Sequence, residues 1–357
     1  MTALREAYPT KLFEFEGVGG AAMLEAGFST LYPLERLAVM GLVEPLGRLP
    51  ELLSMRRELF CRWRDHPPAF FIGIDAPDFN LGLARRLKQQ GLRTAQLVSP
   101  TVWAWRPKRV HKVARSVDLL LCLFPFEPAY YDGLALATRY VGHPMMVEMA
   151  EVPPKLEARR RQGLEGSAKV IALLPGSRER EVAMLGPSMI AAGRLLRSRD
   201  PSRRLILPAA SEARRLQCEA LLVEMGAKDE VILVDGNARE LMSAADVVMV
   251  ASGTASLEAM ILERPMVIAY RVAPLSWALM SRLAVTPWVG LPNILAGEAI
   301  VPELLQDDLS PADLAYAAEG LLQDGQSQVA QLAEARGLLS ENFDTQAAAA
   351  FSNWLDA

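Results

Sequence analysis

The chain has 357 residues, with 38 Lys and Arg against 42 Asp and Glu, a formal net charge of −4, and 51% hydrophobic and 22% charged residues. Those proportions exclude a disordered or low-complexity chain, and the mild acidity provides no electrostatic footprint for nucleic acid as a partner. Three Cys (Cys61, Cys122, Cys218) and three His (His66, His111, His143), far apart, exclude a disulfide framework and a Cys-rich zinc site. At roughly 100–200 residues per domain the length implies two domains. The start, Met1 to Pro9, has no apolar h-region, and no apolar run reaches the roughly 18 residues that span a bilayer. The chain is therefore expected in the cytosol, or at most on a membrane surface.

Short apolar runs alternate with longer amphipathic ones, which predicts an α/β protein with parallel sheets. In the first half strands are expected at Leu12–Val18, Ala69–Ile74, Thr94–Val98, Leu119–Cys122 and Arg139–Val141, with helices at Leu49–His66, Leu81–Gln90 and Arg106–Arg115. In the second half strands are expected at Val170–Leu174, Arg204–Ala209, Glu230–Val234, Val247–Ala251 and Pro265–Ala269. The helices between them are Glu179–Arg197, Glu212–Met225, Glu240–Ala244 and Thr254–Leu262. Each half reads as a Rossmann-like βα repeat. The stretch Val147–Ala168, charged and containing Pro153-Pro154, reads as an interdomain linker followed by a short helix. The expected domains are 1–148, 166–335 and a C-terminal helix over 336–357, an Ala- and Leu-rich tail suited to cross to the other domain or to a partner. Two such domains in tandem predict a ligand cleft between them, at strand C-termini and helix N-termini.

Five segments carry candidate chemistry. In Leu173-Leu174-Pro175-Gly176-Ser177-Arg178, a strand runs through a tight turn into a helix, exposing backbone N–H groups to an anion. Arg178 adds a guanidinium fork suited to phosphate, and Glu181 can cap the helix from its first turn. The plain alternative is a simple turn with a solvent-facing Arg. In Ala251-Ser252-Gly253-Thr254-Ala255-Ser256-Leu257-Glu258, small residues again follow a strand and allow close approach to a diphosphate. Glu258, one helical turn past Thr254, could hold ribose hydroxyls; alternatively Ser252 or Thr254 is merely an N-cap. Two such loops without a Gly-x-Gly-x-x-Gly point to a nucleotide-sugar site rather than a dinucleotide site.

The third segment, Gly73-Ile74-Asp75-Ala76-Pro77-Asp78-Phe79-Asn80, ends a strand on a carboxylate. Asp75 there can act as general base toward a sugar hydroxyl, whereas Asp78 fits an N-cap. In Ser99-Pro100-Thr101-Val102-Trp103-Ala104-Trp105-Arg106, Trp rings could stack on sugar, or could simply be core, with Lys108 and Lys112 on a solvated face; His143 lies at another strand tip, as a site or hinge residue. The apolar Leu37–Leu49 segment, running into Met55-Arg56-Arg57, suits a lipid interface or a buried helix.

Taken in order, Leu37-Ala-Val-Met-Gly, Gly73-Ile-Asp-Ala-Pro-Asp-Phe-Asn, Val98-Ser-Pro-Thr-Val-Trp-Ala-Trp-Arg, Leu174-Pro-Gly-Ser-Arg, Ala251-Ser-Gly-Thr-Ala-Ser-Leu-Glu and Leu291-Pro-Asn-Ile-Leu-Ala-Gly resemble the lipid-A-disaccharide synthases, inverting glycosyltransferases of the GT-B type. The resemblance runs from about Leu12 to the C-terminus. It implies two Rossmann-like domains facing across a cleft, an acceptor- and lipid-binding N-terminal one and a UDP-sugar-binding C-terminal one. It implies UDP-2,3-diacylglucosamine as donor and 2,3-diacylglucosamine 1-phosphate as acceptor, with no metal and no cofactor. Asp75 would take the proton of the acceptor 6-hydroxyl, and Arg178 with Ser252, Gly253, Thr254 and Ser256 would hold the diphosphate. Glu258 and Asn293 would orient the nucleotide sugar. Acyl chains would lie on the Leu37–Leu49 segment at the inner face of the inner membrane, and a homodimer is possible. Family members begin with a strand and a Gly-Glu-x-Ser-Gly-Asp loop; here Met1–Tyr8 matches the end of the helix that follows, and that first βα unit is missing. The alternatives at this point are another GT-B UDP-sugar enzyme, such as an epimerase, and a non-catalytic UDP-sugar or lipid-binding remnant.

Overall fold

The computed structural model describes residues 1–37, 44–164, 166, 168–339 and 342–355, without the side chains of 44–48 and 279. The chain forms two compact units, Met1–His143 with Ser340–Ala357, and Pro144–Leu339.

The first unit contains α1 (Thr2–Ala7), β1 (Glu16–Gly19), α2 (Ala21–Glu25), β2 (Ser29–Pro33), α3 (Glu44–Asp65), β3 (Phe71–Ile74), α4 (Pro77–Lys88), β4 (Thr94–Leu97), α5 (Val110–Ser116), β5 (Leu119–Cys122) and β6 (Ala137–Tyr140). Strands β3 to β6 form a parallel sheet in simple sequential order, and β1 pairs in parallel with β2. Because all four strands of the larger sheet run the same way, Asp75, Ser99, Leu123 and Val141 leave from one edge. The expected first strand begins too early: Leu12 is 92% exposed and lies outside β1. β2 was not foreseen, since its short, half-exposed run Ser-Thr-Leu-Tyr-Pro carries no buried-strand pattern. Of the expected lipid-facing segment Leu37–Leu49, residues 38–43 lie outside the described residues and 44–48 are described only as helical backbone.

The second unit contains α6 (Met145–Ala150), α7 (Lys155–Arg161), β7 (Val170–Leu174), α8 (Glu179–Arg199), β8 (Arg204–Ala209), α9 (Glu212–Glu224), β9 (Val231–Asp235), α10 (Ala238–Ala244), β10 (Val247–Ala251), α11 (Thr254–Ile261), β11 (Met266–Tyr270), α12 (Pro274–Leu283), α13 (Leu291–Ala296), β12 (Glu303–Leu305), α14 (Pro311–Gln323) and α15 (Gln326–Gly337). Its six-stranded parallel sheet has the order β12-β11-β10-β7-β8-β9. The strand order reverses between β7 and β10, the place where doubly wound sheets bind ligands. Both strands are buried along their whole length, which is why they read as continuous apolar runs.

Two boundaries differ from those expected. Pro144–Leu164, which includes the short helix α7, packs as part of the second unit. Asp246 accepts from Lys155 Nζ at 2.8 Å and from Arg159, and the Ser243 hydroxyl donates to Pro153 O at 2.7 Å. The tail after 340 is not a separate piece but joins the first unit through α16 (Phe343–Ala349) and α17 (Ser352–Leu355). Phe70 stacks on Phe351 with ring centroids 5.3 Å apart, and Arg139 Nη1 donates to Ala349 O at 3.2 Å.

Candidate functional site

The second unit brings the two small-residue loops to adjacent strands. Pro175–Arg178 leaves β7 and Ser252–Gly253 leaves β10, the pair flanking the order reversal. Gly176 sits at φ 117, a left-handed position, and a Cβ there would overlap the Glu181 carboxylate. That carboxylate accepts the backbone N–H of Ser177 at 3.1 Å and of Arg178 at 3.2 Å, and Arg178 Nη1 at 2.7 Å. The expected cap is therefore present. Arg178 itself is largely exposed, with 66% of its side chain accessible. Tyr270, at the end of β11, has its phenol pushed up by burial; the Glu181 carboxylate adds to this and Arg178 opposes it.

On the second loop, Gly253 at φ 148 precedes α11, and the space where its Cβ would stand is open. Thr254 is exposed. The two serines are committed to the scaffold: Ser252 Oγ donates to Val289 O at 2.7 Å, and buried Ser256 Oγ donates to Gly253 O at 2.7 Å. Approach to this loop therefore falls to the backbone of Gly253 and the exposed Thr254. Glu258 accepts Arg239 Nε at 2.8 Å, and Arg239 Nη2 reaches Glu148 at 2.7 Å. Arg239 and Glu148 were not singled out, because nothing in their local sequence marks either as a partner of Glu258.

Asn293 occupies a different position from the one its expected role suggests. It is completely buried, and its amide bonds Val301 N and O, at 2.8 and 2.9 Å, and Glu303 Oε1 at 2.8 Å. Glu303 also accepts Val289 N and Gly290 N, each at 2.9 Å. Asn293 and Glu303 thus shape the loop that Ser252 anchors. Glu303 could have been noticed as a lone carboxylate in the apolar run Ile300-Val301-Pro302-Glu303-Leu304-Leu305.

In the first unit Asp75 is exposed at the C-terminal end of β3, where it was expected. Asp75 and Ala76 both take left-handed φ, 47° and 38°. Asn80 Nδ2 and Gln96 Nε2 hold the Asp75 carbonyl, and Gly73 leaves room for both side chains. Asp78 is not the N-cap but lies in the first turn of α4, where it pairs with Arg109.

The two Trp separate. Trp103 is core: its ring packs edge-on to Phe126, and its N–H donates to Glu127 at 3.2 Å. Trp105 is 37% exposed, with the Arg106 guanidinium 3.9 Å over its ring. Lys108 and Lys112 are exposed. His143 is buried against Phe124 at the end of the first unit's N-terminal segment. Glu127, missed in the sequence, is a buried carboxylate that also accepts Leu123 N and Phe124 N at 2.9 and 3.1 Å; burial nevertheless pushes it up to about 7.

Among the described residues no group of three or more His, Cys, Asp or Glu could hold a metal ion, and no helix is long and apolar enough to cross a membrane. A model of the lipid-A-disaccharide synthetase family matches residues 1–351. The chain is 47% identical over 351 residues to a lipid-A-disaccharide synthase of Erwinia tasmaniensis, covering 98% of this chain and 92% of that one. Among solved structures it is similar to WaaG, a glycosyltransferase involved in lipopolysaccharide biosynthesis (TM-score 0.53, 14% identity, 98% and 94% of the two chains). It is also similar to a UDP-GlcNAc 2-epimerase from Neisseria meningitidis bound to UDP-GlcNAc (TM-score 0.59, 11% identity, 97% and 100%). Likenesses at that identity show the fold, which is of the GT-B type.

Proposed function

The chain belongs to the lipid-A-disaccharide synthase family and is a glycosyltransferase of lipid A biosynthesis, and from that membership we propose that it joins UDP-2,3-diacylglucosamine to 2,3-diacylglucosamine 1-phosphate. The products are the β-1,6-linked disaccharide 1-phosphate and UDP. One observation supports the donor side most: both small-residue loops leave the strands that flank the order reversal, with Arg178 on one of them. Arg178 and the backbone N–H groups of Ser177, Gly253 and Thr254 stabilise the charge that develops on the departing diphosphate. Glu258, oriented by Arg239, holds the nucleotide sugar, and Asn293 with Glu303 keeps the Ser252–Val289 contact in shape.

On the acceptor side Asp75 is the general base. It takes the proton of the 6-hydroxyl as that oxygen bonds to the donor anomeric carbon, while the bond to the diphosphate breaks and its electron pair leaves with UDP. Attack opposite the leaving group inverts the anomeric centre. Both substrates carry acyl chains, so in this reading the enzyme works at the inner face of the inner membrane, with the Leu37–Leu49 segment as the lipid contact. Incubating the full chain with both lipid substrates in detergent and EDTA tests the reading. Mass spectrometry should show the tetra-acyl disaccharide 1-phosphate with stoichiometric UDP. UDP binding without product would instead identify a binding protein, and UDP-sugar conversion without acceptor an epimerase.

A further inference from the structure

We propose that Glu181 is an internal stand-in for the donor diphosphate, occupying its donors when the site is free and surrendering them when the nucleotide binds. The inference rests on the donor-site reading above and adds to it a residue that tunes nucleotide affinity and release. In a capping box the carboxylate at this position takes the N-cap N–H, here that of Arg178. Glu181 takes two, from Ser177 and Arg178, and adds the Arg178 guanidinium. Those are the same three groups that an anionic ligand at this turn would use. The turn lets the side chain in close as well: a Cβ at residue 176 would overlap Glu181 Oε2 and meet Glu181 Cβ at 2.7 Å. Neither partner is sealed in, since 66% of the Arg178 side chain and 30% of the Glu181 side chain are accessible. An exposed pair contributes little, so exchange of a carboxylate for a phosphate group requires only a side-chain rotation of Glu181.

Two consequences follow from having an anion already in the cradle. The resident carboxylate competes with the nucleotide, which lowers affinity, and it re-forms its three bonds as UDP departs, which hastens release. Removing its charge should therefore tighten UDP, the opposite of what loss of a binding residue does. The effect should be confined to ligands that carry the diphosphate.

The test is calorimetric titration of UDP and of uridine into the full chain, unmodified and as Glu181→Gln, Glu181→Ala and Arg178→Ala, with thermal melting to confirm folding. Glu181→Gln should bind UDP roughly three- to tenfold more tightly, the combined size of an exposed pair and a charge at a helix terminus. Uridine affinity should not change, and Arg178→Ala should weaken UDP. If Glu181→Gln unfolds, Glu181→Ala carries the same expectation. Unchanged or weaker UDP binding in the folded variant, with Arg178→Ala still weakening it, would overturn the stand-in role and leave the donor site intact. Equal tightening of UDP and uridine would overturn it too. Absence of UDP binding by the unmodified chain would overturn the donor-site reading and this inference with it.

Discussion

Asn80 donates its side-chain amide to the Asp75 carbonyl at 2.8 Å and to the Ile74 carbonyl at 3.1 Å. One amide thus ties the end of β3 to the left-handed turn that carries the candidate base. Two consecutive non-glycine residues at positive φ cost about 1–3 kcal/mol each unless their surroundings hold them. Asn80→Ala removes the tie and should let the turn relax. Turnover should fall roughly tenfold or more, since a misplacement of about 1 Å can cost that much, while UDP affinity stays as it was. Steady-state rates and UDP titration on the same preparation check this; an unchanged rate would mean that Gln96 alone holds the turn.

Asn293→Ala should act on stability before it acts on chemistry. It leaves Val301 N and O unpaired in a buried place and removes one of the donors to Glu303, whose Oε1 still accepts Gly290 N, at about 1–3 kcal/mol for each group left unsatisfied. A clear fall in the urea midpoint is expected, with any loss of UDP affinity following from it. A full urea midpoint combined with lost binding would instead indicate direct contact with the ligand.

Glu127 gives a pH dependence with a definite sign. Burial raises its carboxyl from 4.5 to about 7, against hydrogen bonds from Phe124, Trp103 and Leu123 that pull it down. The folded state therefore holds a proton that the unfolded chain gives up at lower pH. The stabilising effect is complete below about 4.5 and is lost as pH rises toward 7. Glu127→Gln should flatten that part of the stability curve, measured as urea midpoint against pH from 4 to 8 on the order of one-unit steps. A parallel curve for the variant would contradict it.

Glu319 has the opposite sign. The Arg203 hydrogen bonds hold its carboxyl down at about 2 from an ordinary 4.5, with Arg199 assisting. Its contribution is present above 4.5 and disappears as pH falls toward 2. Glu319→Gln should be less stable than the unmodified chain at neutral pH and converge with it in acid. Acid titration followed by far-UV circular dichroism distinguishes convergence from a constant offset.

Repeating units with buried strands were legible in the sequence. Val170–Leu174, Arg204–Ala209 and Val247–Ala251 match the observed strands residue for residue, because parallel strands covered on both faces read as unbroken apolar runs. Asp75, directly after β3, and Arg178, beyond the turn that follows β7, stand where the strand pattern of the sequence placed them. What the sequence hides is which distant group completes each residue. Glu258 is paired with Arg239, itself 91 positions from Glu148, and Ser252 is spent on Val289. Composition likewise cannot separate Trp103, sunk among Phe124, Phe126 and Glu127, from Trp105 two positions on. The tail docks through Phe351 and Trp354 onto Phe70, an aromatic match between segments far apart in the chain, which local periodicity does not encode.

Asp75 is the proposed base and Arg178 the proposed diphosphate ligand, so the most direct measurement is of turnover and UDP affinity together in Asp75→Asn. The variant keeps the side-chain shape and removes the base. Its transfer rate should fall by about 10² to 10⁴, the usual contribution of a general base, while its UDP dissociation constant stays within about twofold. Loss of UDP affinity in step with the rate, or a rate close to that of the unmodified chain, would contradict the assignment.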